Sequence, residues 1–268
     1  MSIDRITKAV EKTLQEQGGG ALRPAESPAA GVPSEDSLEI RKIQLTPEVL
    51  HRNRIILGED NSPYGQAYKV LRTRVWHQMR TNGWQNLAVT SANPGEGKTL
   101  TAINLAIALS MMEIGRKVIL VDLDMRRPSV HRYFGIRPEY GVSDFLLTGM
   151  PLQKIMVDVG IERFLIVPGC ASFANSSEIL SSARILQLLN ELKKAFPSRL
   201  VIIDLPPVLA ADDVLVVAPH MNAFLLVIEE GKSPARDISK TVDLLKEANI
   251  LGTVLNKTPE ATRQYYGY

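Results

Sequence analysis

The 268-residue sequence holds one cysteine, Cys170, and four histidines. A lone thiol excludes an internal disulfide and any cysteine-rich metal site, including that of an iron–sulfur reductase, and it suits a reducing compartment. His51, His77, His131 and His220 are scattered without ligand spacing, which argues against a histidine-based metal centre. No run of about 18 apolar residues occurs, so no segment reads as a membrane-spanning helix. The opening residues lack the apolar centre of a signal peptide. Lysine and arginine number 31 against 29 acidic residues, a net charge of +2, too weak a field to argue for nucleic acid. No internal repeat is evident. These absences lead us to expect a soluble cytoplasmic protein with one large α/β domain and extensions.

Among the residues present, Ser91–Thr99 (Ser-Ala-Asn-Pro-Gly-Glu-Gly-Lys-Thr) stand out. They follow the apolar run 87–90 and precede 100–109, whose apolar residues recur at helical spacing, and a strand, a glycine-bearing turn and a helix make a phosphate-binding loop credible. Gly95 and Gly97 let the backbone wrap a phosphate without Cβ clashes, so that its amides form an anion nest. The helix start adds free N–H groups and the positive end of its dipole. Asn93, Pro94, Gly95, Glu96, Gly97, Lys98, Thr99 and Leu100 are the expected nucleotide contacts. Lys98 is placed to reach the β and γ oxygens, and Thr99 to join the shell of a Mg²⁺ ion. Ala92 stands where the usual pattern has glycine, which requires that this position not be left-handed.

Downstream, apolar runs at 117–121, 163–167, 200–203, 223–228 and 250–255 suit buried parallel strands. Helix-length segments such as 177–196 and 235–248 lie between them, and Gly115 and Pro197 mark helix ends. The expected fold class is α/β: a P-loop NTPase-like, mostly parallel sheet with helices on both faces, carrying deviant Walker A, A′ and B motifs. Two acidic sites fall at strand ends, where open α/β sheets place ligands. Asp122 and Asp124, two apart on a chain leaving a strand, can face one crevice, where they are costly unless they meet a cation. Asp204 ends a wholly apolar strand. Thr99, Asp124 and Asp204 are the expected Mg²⁺ contacts. Lys98, Asp122 and Asp124 are the expected catalytic groups, with Asp122 available as a base; the division of base and metal roles between the two neighbouring aspartates stays open.

The three motifs, in this order, resemble those of the bacterial tyrosine kinases that control exopolysaccharide synthesis: a modified phosphate loop (92–99), apolar-Asp-x-Asp-x-Arg (121–126) and apolar-Asp-x-Pro (203–206). The resemblance runs from about Ser62 to the C-terminus and takes in 175–180, similar to a family Asn-Pro-Ser-Glu-Leu-Leu segment. It implies ATP and Mg²⁺ as cofactors and autophosphorylation, mainly between subunits, of the tyrosine cluster Tyr265, Tyr266 and Tyr268. It also implies self-association and a separate membrane-embedded activator, or chain-length-determinant protein, that recruits the kinase to the inner face of the cell membrane. The family's ring-forming Glu-x-x-Arg-x-x-Arg is altered here to Gln66, Lys69 and Arg72. Residues 1–17 place Ile3, Ile6, Val10 and Leu14 on one helical face and resemble the variable leader of exosortase-associated members. A flexible Gly/Pro/Ala/Ser-rich linker is expected over 18–45, a kinase domain over 46–258 and a tyrosine-rich tail over 259–268. The rival class is a dimeric switch ATPase of the plasmid-partitioning or division-site type; those proteins carry a second lysine near the loop start, where this sequence has Asn93. Arg126 and Arg127 are placed to brace a phosphate or a neighbouring carboxylate, or equally to form a surface salt bridge.

Overall fold

A computed structural model describes residues 39–57, 62–112 and 115–258. The expectations for residues 1–17, for the linker up to residue 38 and for Tyr265, Tyr266 and Tyr268 therefore lie outside the described residues. Eight strands form one sheet in the order β1-β4-β5-β3-β6-β2-β7-β8. They are β1 (Arg41–Lys42), β2 (Asn86–Ser91), β3 (Lys117–Asp122), β4 (Val157–Asp158), β5 (Phe164–Val167), β6 (Arg199–Asp204), β7 (Ala223–Glu229) and β8 (Ile250–Asn256). Every pairing is parallel except β4 with β5. The central strands β2, β3 and β6 are buried along nearly their whole length and apolar through their middles, because helices cover both faces of a parallel sheet.

One face packs Val89, Leu120, Ile202 and Leu225 against α3 (Lys98–Ser110) and the long helix α2 (Pro63–Thr81). The other packs Val121, Ile203 and Phe224 against shorter helices, among them α5 (Val142–Thr148) and α8 (Arg184–Ala195). Helix α3 is buried nearly all round, so its placement beneath the phosphate loop is fixed by core packing rather than by one amphipathic stripe.

All six strands expected from apolar runs are present; β1 and β4 are additions of two residues each. β1 lies within the stretch read as linker and pairs with β4. The segment 177–196 divides into α7 (Ser176–Leu180) and α8, with the break at 181–183. There the Ser181 hydroxyl donates to the carbonyl of Glu178, the local competition by which serine weakens a helix interior.

Candidate active site

Strand β6 lies between β2 and β3 and runs parallel to both, so the segments that leave the three strands emerge at one end of the sheet. That opens a crevice at the carboxyl ends of the three strands, the place where open α/β sheets receive ligands. β2 delivers the phosphate loop, β3 delivers Asp122 and Asp124, and β6 delivers Asp204. Asp122 and Asp204 are register partners on adjacent strands.

The loop has the conformation its sequence requires. Gly95 and Gly97 adopt φ of 85° and 96°, the left-handed region in which only glycine is unstrained. Ala92 is buried and is not among the positive-φ residues, which explains why alanine is accepted there. Within the loop the buried Glu96 carboxylate accepts from the Asn93 amide at 3.1 Å and from the Ser233 hydroxyl. The Asn93 side chain donates to Asp237 of α10 (Ala235–Leu244) at 3.0 Å. At the position of the rival class's second lysine, this chain has a short amide tied to its own α10.

Lys98, Thr99, Asp124 and Asp204 meet in the crevice. The Lys98 ammonium lies 2.8 Å from Asp124 and 3.3 Å from Asp204. The Thr99 hydroxyl donates to the other Asp204 oxygen at 2.7 Å, and the Ser129 hydroxyl approaches Thr99 at 3.4 Å. Asp122 and Asp204 are wholly buried. Burial alone would lower the pKa of Lys98, but Asp204 and Asp124 outweigh it and hold the amine above its ordinary value. Burial, then the charge of Asp204, pushes Asp122 up to about 7. Burial raises Asp204 as well, against the pull of Lys98 and Thr99.

Asp122 is also a structural clamp. One oxygen accepts from the Asp124 amide at 3.2 Å, the other from the amides of Ser129 and Val130 at 2.9 and 3.0 Å. Three donors leave roughly one of a carboxylate's four lone-pair directions for an incoming proton.

Three carboxylates and a hydroxyl thus share one ammonium. Among the described residues no three acidic, histidine or cysteine side chains are arranged to hold a metal by themselves; Thr99, Asp124 and Asp204 are the residues that would hold a hard divalent cation arriving with the phosphates that complete its shell. Arg126 points elsewhere: its guanidinium donates to Ser176 at 3.1 Å and to the buried Asp213 at 3.2 Å, so it braces a carboxylate. Arg127 is exposed and contributes its backbone amide to Asp124 at 3.0 Å. Arg72 donates to the carbonyl of Ala108 at 3.0 Å, which commits part of its guanidinium to the end of α3 in its own chain.

Sequence reasoning missed Ser129, Ser233 and Asp237. Ser129 stands three residues beyond the second motif and was open to discovery. Ser233 and Asp237 lie 137 and 144 residues from their loop partners, and nothing local marks them.

Residues 84–258 match the ParA family, described as the NUBPL iron-transfer P-loop NTPase. The chain belongs to this family of P-loop NTPases, the class that the sheet and its crevice define. Its relatives within that class are bacterial tyrosine kinases, as the three motifs led us to expect. Tyrosine-protein kinase YwqD of Bacillus subtilis is 29% identical over 221 residues, 82% of this chain and 92% of that protein. Tyrosine-protein kinase Etk of Escherichia coli is 31% identical over 205 residues, 76% of this chain but 28% of the relative. Among solved structures, the chimerical protein CapA2B2 superposes with a TM-score of 0.70 at 26% identity, covering 84% of this chain and 98% of that one. The kinase domain of Escherichia coli ETK gives 0.68 at 28% identity, with coverages of 87% and 96%. The cell division ATPase MinD of Pyrococcus furiosus gives 0.55 at 25%, with coverages of 67% and 74%.

Proposed function

We propose that this protein is an ATP-dependent protein-tyrosine autokinase whose acceptors are Tyr265, Tyr266 and Tyr268. The observation that carries the reading is the convergence of Lys98, Thr99, Asp122, Asp124 and Asp204 from three strand ends on one crevice beside the phosphate loop. Mg²⁺, bound with the nucleotide, supplies charge neutralisation on the β and γ phosphates. The loop amides and Lys98 hold those phosphates and orient them. A tyrosine oxygen forms the new bond to the γ phosphorus while the bond from that phosphorus to the β–γ bridging oxygen breaks, and ADP leaves. Asp122 accepts the phenolic proton on its remaining lone pair.

The names of the relatives support the kinase reading, and the resemblance in all three motifs extends it to control of exopolysaccharide synthesis or export. We assign it, on the same grounds, a membrane-embedded activator that brings it to the inner face of the cell membrane, and acceptor tails exchanged between subunits. The family match and the MinD likeness favour a second reading, a dimeric switch ATPase without kinase activity. Against it stands Asn93, held by Asp237 of its own chain.

Mass spectrometry of the purified protein after incubation with Mg·ATP separates the two. The kinase reading expects phosphotyrosine on the last four residues, lost when Tyr265, Tyr266 and Tyr268 are changed together to Phe and abolished by Lys98→Met. Free phosphate with no phosphotyrosine would establish the switch ATPase instead.

A further inference from the structure

The phosphate loop is gripped from behind by residues that the chemistry above does not use. In such a loop the amides face the phosphates, so the carbonyls must point outward and find other partners. The carbonyl of Gly95 accepts from the Lys257 ammonium at 2.7 Å, and that of Glu96 accepts from the Asn256 side-chain amide at 2.9 Å. A Cβ on Gly97 would collide with the same Asn256 amide, so glycine there serves the close approach as well as the turn. Both gripping residues stand at the end of β8, beyond β7 from the strand that delivers the loop.

Lys257 reaches this position at a conformational cost. Its φ is 59°, left-handed for a residue with a Cβ, and such strain persists where surrounding contacts enforce it. The ammonium also lies 2.9 Å from Glu229 at the end of β7, and this contact holds the Glu229 carboxyl below its ordinary range. One side chain therefore joins the ends of β7 and β8 to the loop.

We infer that Asn256 and Lys257 are positioning residues that preorganise the phosphate loop, holding its outward carbonyls so that its amides stay aimed at the phosphates before the nucleotide arrives. The inference rests on the nucleotide reading of the loop. Preorganisation raises affinity by removing an ordering cost from the binding step, so losing it weakens binding without unfolding the domain. Lys257→Gly is the discriminating variant: it removes the ammonium and at the same time relieves the left-handed backbone.

The test is calorimetric titration of the full chain with Mg·ADP, set beside the thermal midpoint of the nucleotide-free protein. Lys257→Gly and Asn256→Ala are each expected to bind roughly 3- to 10-fold more weakly, the range for loss of one hydrogen bond. The Lys257→Gly midpoint is expected to stay equal to or above that of the wild type. Wild-type affinity in both variants overturns the inference and leaves the nucleotide site standing, as does a loss of affinity that merely follows a lowered midpoint. No binding by the wild-type protein defeats the nucleotide reading itself.

Discussion

Two sites of buried aspartate meet at the second motif, one at Arg126 and one in the crevice, and they handle the same electrostatic problem in opposite ways. At Arg126, the guanidinium stands against the buried Asp213, with Ser176 completing the network and the exposed Asp212 at 3.6 Å as a bystander. The negative charge there is matched by one guanidinium, although the second Asp213 oxygen, Oδ2, is buried without a hydrogen-bond partner among the described residues. In the crevice, Lys98 is the one ion-pair partner of Asp124 and Asp204 among the described residues, and its charge also reaches Asp122. Burying carboxylates in excess of their counter-charge is costly, and the raised pKa of Asp122 and Asp204 is the direct expression of that cost. The difference teaches which cluster is architecture and which is a site. A buried aspartate met by its own arginine can serve the fold alone, whereas carboxylates that outnumber their counter-charge mark the candidate site.

Removing one carboxylate from each cluster breaks the comparison most sharply. In nucleotide-free protein at pH 8, Asp204→Asn relieves the surplus charge and is expected to raise the thermal midpoint by a few degrees, for about 1 kcal/mol. Asp213→Asn weakens a matched pair and is expected to lower stability by about 1–3 kcal/mol. Shifts of the same sign in the two variants would erase the distinction.

The pH dependence sharpens it further. The Asp122 carboxyl titrates near 3.8 in the unfolded chain and about 7 in the fold. Between those values the folded state keeps a proton that the unfolded state has lost, so stability falls as pH rises through that window and levels off above it. Thermal melts of the empty protein from pH 4 to 8 should show that slope, and Asp122→Asn should flatten it. The rate of phosphoryl transfer should run the other way, falling as pH drops and protonates the base. The smallest effect is expected at Asp212: Asp212→Asn removes an exposed partner at 3.6 Å and should change stability by about 0–1 kcal/mol, as surface pairs do.

Much of this was legible in the sequence, for reasons that differ by element. β2, β3, β5, β6 and β7 show as apolar runs because strands buried on both faces need no alternation, whereas β8 reads as apolar although it lies at the sheet edge with Leu255 exposed. β1 and β4, with two residues each, carry no period at all. The serines at 181 and 182 gave the only warning that 177–196 would divide. Within the site, Lys98, Thr99, Asp122, Asp124 and Asp204 were readable because each sits on a strand end or a glycine turn with a local signature. The partners that set their environment were not. Asp213, Ser233 and Asp237 act through contacts made only when distant segments meet, and side chains of this kind leave no local pattern.

The claim at the centre of this account is that the crevice is short of positive charge and takes it from a divalent cation bound with the nucleotide. Calorimetric titration of the wild-type protein with ADP, once with Mg²⁺ and once with EDTA, tests that directly. The account predicts binding with Mg²⁺ that weakens at least about ten-fold without it, a difference of ~1.4 kcal/mol. Equal affinity under the two conditions, or none with Mg²⁺ present, would contradict it.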